Sequence, residues 1–316
     1  GNVATGYVPI FFIINYALNS SLTIISMKIN LILFFFLLSF LPVFGDSLLY
    51  ERSNHCYSQK GDCVLCMDIY RRVDVVEKSP CMLFLFGGGF MVGNKRDARY
   101  LDYFEHLISE GVVVVAIDYR LGMVGVQNEP WRYPDAFENS IRMGVEDLFD
   151  AILYLLETAD YLQIDCSKLM VSGSSAGAII ALEADYILRN NCNEFSNSPD
   201  DFEFACVISF SGGLYLLCAD WDSMEQSAPT LLFHGGRDRI VTPDSIELFS
   251  DGFYGSNSLV EKFKENNSEY IYCFYPNYGH EVSYMSMCLE DKLISEFLHR
   301  YVLSSGSEEL GLLNDE

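Results

Sequence analysis

From Cys63 onward, short continuous apolar runs alternate with longer stretches in which apolar residues recur every three or four positions. The runs Cys63 to Tyr70, Met82 to Phe86, Val112 to Ile117, Leu169 to Val171, Ala205 to Phe210, Thr230 to Phe233 and Tyr270 to Phe274 are rich in Val, Ile, Leu and Phe. Runs of this kind predict strands buried on both faces. Between them, Phe137, Ile141, Val145, Leu148, Ile152 and Leu155 fall on one helical face and predict a helix over Ala136 to Leu162. A second helix is expected over Leu289 to Val302. Alternating strands and helices imply an α/β fold with a mostly parallel central sheet and helices on both faces. In such a sheet a ligand site lies beyond the carboxyl ends of the strands, so chemistry is sought in the loops that follow them.

The N-terminus departs from this pattern. A basic start at Met27-Lys28, an apolar centre from Leu31 to Leu41 and a small residue at Gly45 read as a signal peptide over 27–45. Residues 1–26 form an upstream extension of uncertain status. The apolar stretch is shorter than the roughly 20 residues that span a bilayer, which favours a cleaved leader and a secreted or periplasmic protein over a membrane-anchored one. The catalytic domain is then expected over 46–304, followed by an acidic tail over 305–316. No stable membrane insertion is expected after cleavage.

Charge narrows the partners. Asp and Glu outnumber Lys and Arg 44 to 20, a formal charge of -24 that repels phosphate backbones and argues against nucleic acid. All ten cysteines follow Gly45, as suits an oxidising compartment. Pairing is expected among Cys56, Cys63 and Cys66, with Cys81, Cys206 and Cys273 as core thiols. Cys63-Val64-Leu65-Cys66 has the spacing of half a zinc site but no second half follows, so no metal and no cofactor are expected.

The candidate chemistry centres on Gly173-Ser174-Ser175-Ala176-Gly177, a G-x-S-x-G between an apolar run and an Ala- and Ile-rich helical one. That context predicts a strand-turn-helix elbow displaying Ser175 as nucleophile. Gly87-Gly88-Gly89, directly after a predicted strand, can aim backbone N–H groups at a developing oxyanion. A serine needs a base, and the chain order serine, acid, histidine eliminates His55 and His106. His234 ends a strand before the credible acids, and His299 lies within a helix. His280, in the loop after Tyr270 to Phe274, remains. Asp238, just past Thr230 to Phe233, is the preferred acid; Asp244, after Pro243, suits a helix N-cap better.

Together, Phe86-Gly87-Gly88-Gly89-Phe90, Asp118-Tyr119-Arg120, the elbow, His234-Gly235-Gly236-Arg237-Asp238 and Gly279-His280 resemble the hormone-sensitive-lipase-like carboxylesterases of the α/β-hydrolase fold. The resemblance spans about Cys63 to Val302. It implies a Ser175-His280-Asp238 triad and an oxyanion hole formed by the N–H groups of Gly88, Gly89 and Ala176. One position departs: the family usually has histidine where this chain has Phe86, so the glycine loop must be braced otherwise. Phe86 is expected to be buried and structural.

The expected activity is hydrolysis of carboxylic esters, with short to medium acyl groups or acyl groups on a larger carrier such as a polysaccharide. A serine peptidase of the same fold and a non-catalytic binding protein are the alternatives. The short Phe210-to-Thr230 segment leaves room for a minimal cap or none. Phe90, Trp131, Trp221, Phe253 and Tyr254 are candidate pocket aromatics.

Overall fold

The computed structural model describes residues 49–304, apart from 76, 127–131, 191–193, 218–220, 222–223, 225–226 and 249–250. The expected leader, upstream extension, acidic tail and Trp131 lie outside the described residues.

The strands are β1 (Tyr50–Lys60), β2 (Cys63–Arg72), β3 (Ser79–Leu85), β4 (Val113–Ile117), β5 (Ile164–Ser174), β6 (Val207–Phe210), β7 (Gly213–Leu214), β8 (Thr230–Gly235), β9 (Ser245–Leu248), β10 (Asp251–Gly255) and β11 (Tyr270–Tyr275). The helices are α1 (Leu101–Ser109), α2 (Tyr133–Leu162), α3 (Ala176–Arg189), α4 (Ser256–Asn266), α5 (Val282–Leu289) and α6 (Asp291–Leu298). Eight strands form the main sheet in the order β1-β2-β4-β3-β5-β6-β8-β11. From β4 to β11 every pairing is parallel, while β2 runs antiparallel to both neighbours.

The central strands β4 and β6 are buried at every residue, with no alternation. Such strands need cover on both faces. Helices α2 and α3 pack on each other and on β5, while α1 and α5 pack on each other and on β2, β4, β6 and β8. Between sheet and helices, Phe84 meets Phe104 at 5.0 Å and Tyr103 meets Phe210 edge-on at 5.3 Å. Edge-to-face aromatic pairs like these add about 0.5–1.5 kcal/mol each beyond the area they bury.

Three features go beyond the elements expected. The helix expected over Leu289 to Val302 is present as α6 running into a π-turn over His299–Leu303, while a separate, unanticipated helix, α5, precedes it and ends at Leu289, where Glu290 leaves helical geometry (φ -113, ψ 26). Strand β1, unanticipated, pairs with β2 across a two-residue turn and is joined to it by a Cys56–Cys66 disulfide, leaving Cys63 exposed and unpaired. Finally, β7, β10 and β9 make a second, three-stranded sheet beside the strand ends, a small cover drawn from segments on either side of β8.

Candidate active site

The β5-to-α3 turn is tight because its glycines allow it to be. A Cβ on Gly173 would stand 2.3 Å from Gly177, and one on Gly177 would stand 2.2 Å from the Leu85 carbonyl oxygen. Strand, turn and helix therefore touch backbone to backbone, and Ser175 between them takes φ 51 and ψ -116. A non-glycine residue there costs on the order of 1–3 kcal/mol, strain that the surrounding packing must hold. Its N–H donates to the Phe210 carbonyl at 2.9 Å, tying the strained residue to β6.

Ser175 Oγ lies 2.8 Å from His280 Nε2, and His280 Nδ1 lies 2.7 Å from Asp238 Oδ2. A carboxylate only accepts, so Nδ1 carries the ring proton and Nε2 is left to accept from the serine hydroxyl. The other oxygen of Asp238 accepts from the N–H groups of Ile240 and Val241 at 2.9 and 3.0 Å. Burial by itself would raise this carboxyl, but the His280 bond and these backbone donors outweigh it and hold its pKa below the usual carboxylate range. Ser175 is only 7% exposed, so the relay sits at the floor of a cavity rather than on open surface.

The glycine loop closes the other side. Gly88 and Gly89 adopt φ 134 and 62, and a Cβ on Gly88 would fall 1.9 Å from the Val92 carbonyl oxygen. Among the described residues no protein group accepts from the N–H of Gly88, Gly89 or Ala176. For Ala176, the first residue of α3, this is the normal state of a helix N-terminus. Gly89, Ser175 and Ala176 line one cavity of about 660 Å³.

Where the family has histidine, Phe86 is 3% exposed and stacks on Tyr119 at 4.4 Å. The polar bracing comes from tyrosines instead. Tyr119 Oη donates to the Phe86 carbonyl at 2.7 Å, and the Gly87 N–H donates to Tyr100 Oη at 3.0 Å. Burial drives both phenols to pKa values above the ordinary one, so they remain neutral. Phe86→Ala is expected to cost roughly 3–5 kcal/mol of stability and to lower kcat through a looser loop; thermal unfolding and kinetics side by side test this. Tyr119→Phe leaves the Phe86 carbonyl without its donor, an expected loss of about 1–3 kcal/mol, with kcat again reduced.

The remaining histidines are occupied elsewhere: His55 with Ser53, His106 with Ser295 and His299 with Glu110. His234 is fully buried 3.7 Å from Asp238, donating from Nε2 to the Val241 carbonyl and accepting at Nδ1 from Ser256. Burial keeps its pKa below the ordinary imidazole value, so it buttresses the Asp238 turn as a neutral ring. Asp244 does not cap a helix as expected. It precedes β9, is exposed, and accepts from the Asn257 side chain at 2.8 Å, because the chain after Pro243 turns into a hairpin.

A solved esterase of Thermogutta terrifontis, with propionate bound, superposes with a TM-score of 0.61 at 19% identity, over 81% of this chain and 96% of that one. The family described as BD-FAE matches residues 67–223, which carry both the glycine loop and the elbow. The chain has the α/β-hydrolase fold. Curated relatives include Gut esterase 1 of Caenorhabditis briggsae, 29% identical over 38% of this chain and 21% of that protein. Ethyl acetate hydrolase of Pseudomonas putida is 34% identical over 32% of this chain and 27% of that protein. The chain thus spans about a quarter of the length of these relatives.

The cavity is mainly apolar. Phe90, Phe137, Ile179, Tyr215, Ile246 and Phe253 line it, and Asp135 and Glu138 stand among its lining residues. Phe90 and Phe253 therefore take the places expected of them. Trp221 and Tyr254 stack on each other at 4.0 Å and are not among the lining residues. Tyr215 and Ile246 escaped sequence reading because the small sheet brings them to the site, whereas the Ile240–Thr242 turn is set there by its bonds to Asp238 and His234.

Proposed function

We propose that this α/β-hydrolase is a serine esterase acting through an acyl-enzyme, with Ser175 as nucleophile, His280 as base and Asp238 as orienting acid. The observation that carries the reading is the unbroken relay from Asp238 through His280 to Ser175, opening into an apolar cavity beside unpaired N–H donors. On attack, the Ser175 Oγ bonds to the ester carbonyl carbon and its proton passes to His280 Nε2. The oxyanion is received by the N–H groups of Gly88, Gly89 and Ala176, donors fixed in advance and so needing no reorganisation. Collapse breaks the C–O bond to the alcohol, which leaves with the proton from His280. Water, deprotonated by the same ring, then releases the acid and restores Ser175.

The esterase names and structures among the relatives support ester substrates. An apolar cavity of about 660 Å³ has the size and lining of sites that enclose drug-sized ligands, and this favours short to medium acyl groups over a polysaccharide carrier, which would call for polar lining. Export is part of the same proposal: the Cys56–Cys66 disulfide suits an oxidising compartment, as does the leader-like segment 27–45.

A screen with p-nitrophenyl acetate, longer-chain p-nitrophenyl esters and aminoacyl anilides tests the reaction class. Turnover of the esters is expected. Exclusive turnover of the anilides would make the protein a peptidase, and turnover of neither would make it a binding protein. Intact-mass analysis after paraoxon treatment should find a single phosphoryl adduct mapping to Ser175.

A further inference from the structure

Helix α3 carries a buried acid that the proposed mechanism does not use. Glu183 lies two turns beyond Ser175 and is 0% exposed; a second buried acid of the same helix, Asp185, is engaged by Arg189 and the Ala228 N–H. No cationic side chain hydrogen-bonds Glu183 or forms an ion pair with it among the described residues; instead it accepts three backbone N–H bonds. Oε2 takes those of Tyr215 and Leu216 at 3.0 and 3.2 Å, and Oε1 takes that of Leu217 at 2.6 Å. Three consecutive N–H groups converge only because Leu216 sits at φ 64, the left-handed conformation that turns successive amides into an anion-binding concavity.

The segment so held is a wall of the cavity. Tyr215 lines it and meets Phe137 edge-on at 5.8 Å, and Phe137 meets Phe90 of the glycine loop at 5.7 Å. Just before Tyr215, β7 pairs with β10, and β10 pairs with β9 so that Phe253 faces Ile246 across the strands. Both side chains also line the cavity. One end of α3 thus sets the nucleophile, and the same helix, two turns on, grips the small sheet that forms the opposite wall.

We infer that Glu183 is a positioning residue that fixes the distance between Ser175 and the Tyr215–Phe253–Ile246 wall, and thereby the length of acyl chain the cavity accepts. This rests on the reading of the cavity as the acyl site. A short acetyl group ends near Ser175, whereas a longer chain must lie against the wall, so displacement of the wall is felt in proportion to chain length.

The test is a series of p-nitrophenyl esters from acetyl to octanoyl, with the parent and Glu183→Gln compared at each length. Glutamine keeps the volume but turns an NH2 group toward backbone donors, setting donor against donor. The expected result is a loss in kcat/KM that grows along the series, carried by KM and reaching about tenfold or more at octanoyl, the scale of leaving a buried hydrogen-bond donor unsatisfied. Tyr215→Ala should show the same length dependence, and the double variant should lose less than the product of the two single losses, because both act through one wall. Equal loss at every length, no loss at any length, or strictly multiplicative losses overturn the proposal. So does failure of both Glu183→Gln and Glu183→Asp to fold, since Glu183 would then serve folding alone. Binding of alkyl methyl ketones of the same lengths to Ser175→Ala and to Ser175→Ala/Glu183→Gln, measured by calorimetry, reads the wall without turnover. If the parent hydrolyses no ester yet ketone affinity depends on Glu183 with length, the esterase reading fails and the positioning role stands.

Discussion

Ser175→Ala is expected to lower ester turnover by a factor on the order of 10⁴ or more while leaving the melting temperature close to that of the parent. The loss is large because the neighbouring hydroxyl is already committed: Ser174, next in the chain, donates from its Oγ to the Ser283 carbonyl at 2.8 Å. Stability should hold because only one oxygen is removed, and because alanine keeps the backbone strain already tolerated at φ 51. The turnover that survives should come from the oxyanion donors and substrate binding alone. If the variant hydrolyses p-nitrophenyl acetate at near the parental rate, Ser175 is not the nucleophile.

His280→Ala should be nearly as damaging, and Asp238→Asn somewhat less, with losses on the order of 10⁴ expected for the acid. Asparagine can present its NH2 group to the imidazole and select the wrong tautomer, leaving Nε2 unable to accept from Ser175. Asp238→Asn should also change how stability depends on pH. A carboxyl whose folded pKa is depressed stabilises the fold above its unfolded pKa and loses that contribution as pH falls through the folded value. The gap in stability between parent and variant is therefore expected to be widest at neutral pH and to shrink on acidification. Asp244→Asn, at an exposed carboxylate bound to Asn257, should change neither activity nor its pH profile. The reverse outcome, activity lost at Asp244 and kept at Asp238, exchanges the two roles.

What the sequence made legible follows from how each feature is encoded. The parallel strands could be found because burial on both faces demands unbroken apolar runs, and the elbow because its close approaches demand glycine at fixed positions. His280 and Asp238 could be placed because they follow strands whose ends converge on the elbow. Strand β1 left little apolar trace: it is an edge strand, mostly polar and exposed, held by pairing and a disulfide. Its one local signal was Gly61 at φ 61 in the two-residue turn, a position that suits a hairpin. The β7–β10–β9 sheet was hidden for a different reason. With one strand of only two residues, its pairing is decided by tertiary contacts that no local pattern records. Glu183 was not singled out from the sequence, because its partners are backbone groups 32 to 34 positions away, and backbone donors have no signature in side chains. At Phe86, the missing histidine was visible, whereas the two tyrosines that brace the loop in its stead lie in separate elements and meet only in the fold.

The bond from Ser174 to the Ser283 carbonyl joins residues 109 positions apart, and the neighbouring one from Ser175 to His280 spans 105. Contacts of such sequence separation form late, after the loop between them has been closed at an entropic cost. During synthesis the elbow therefore leaves the ribosome well before the segment that arms it, and Ser175 is an ordinary serine until β11 docks on β8 and delivers His280. A chain halted anywhere before that point can hold a nearly complete sheet and still lack the relay from Asp238 through His280 to Ser175. The relay proposed for Ser175 is thus completed only after the segment that follows β11 has been made.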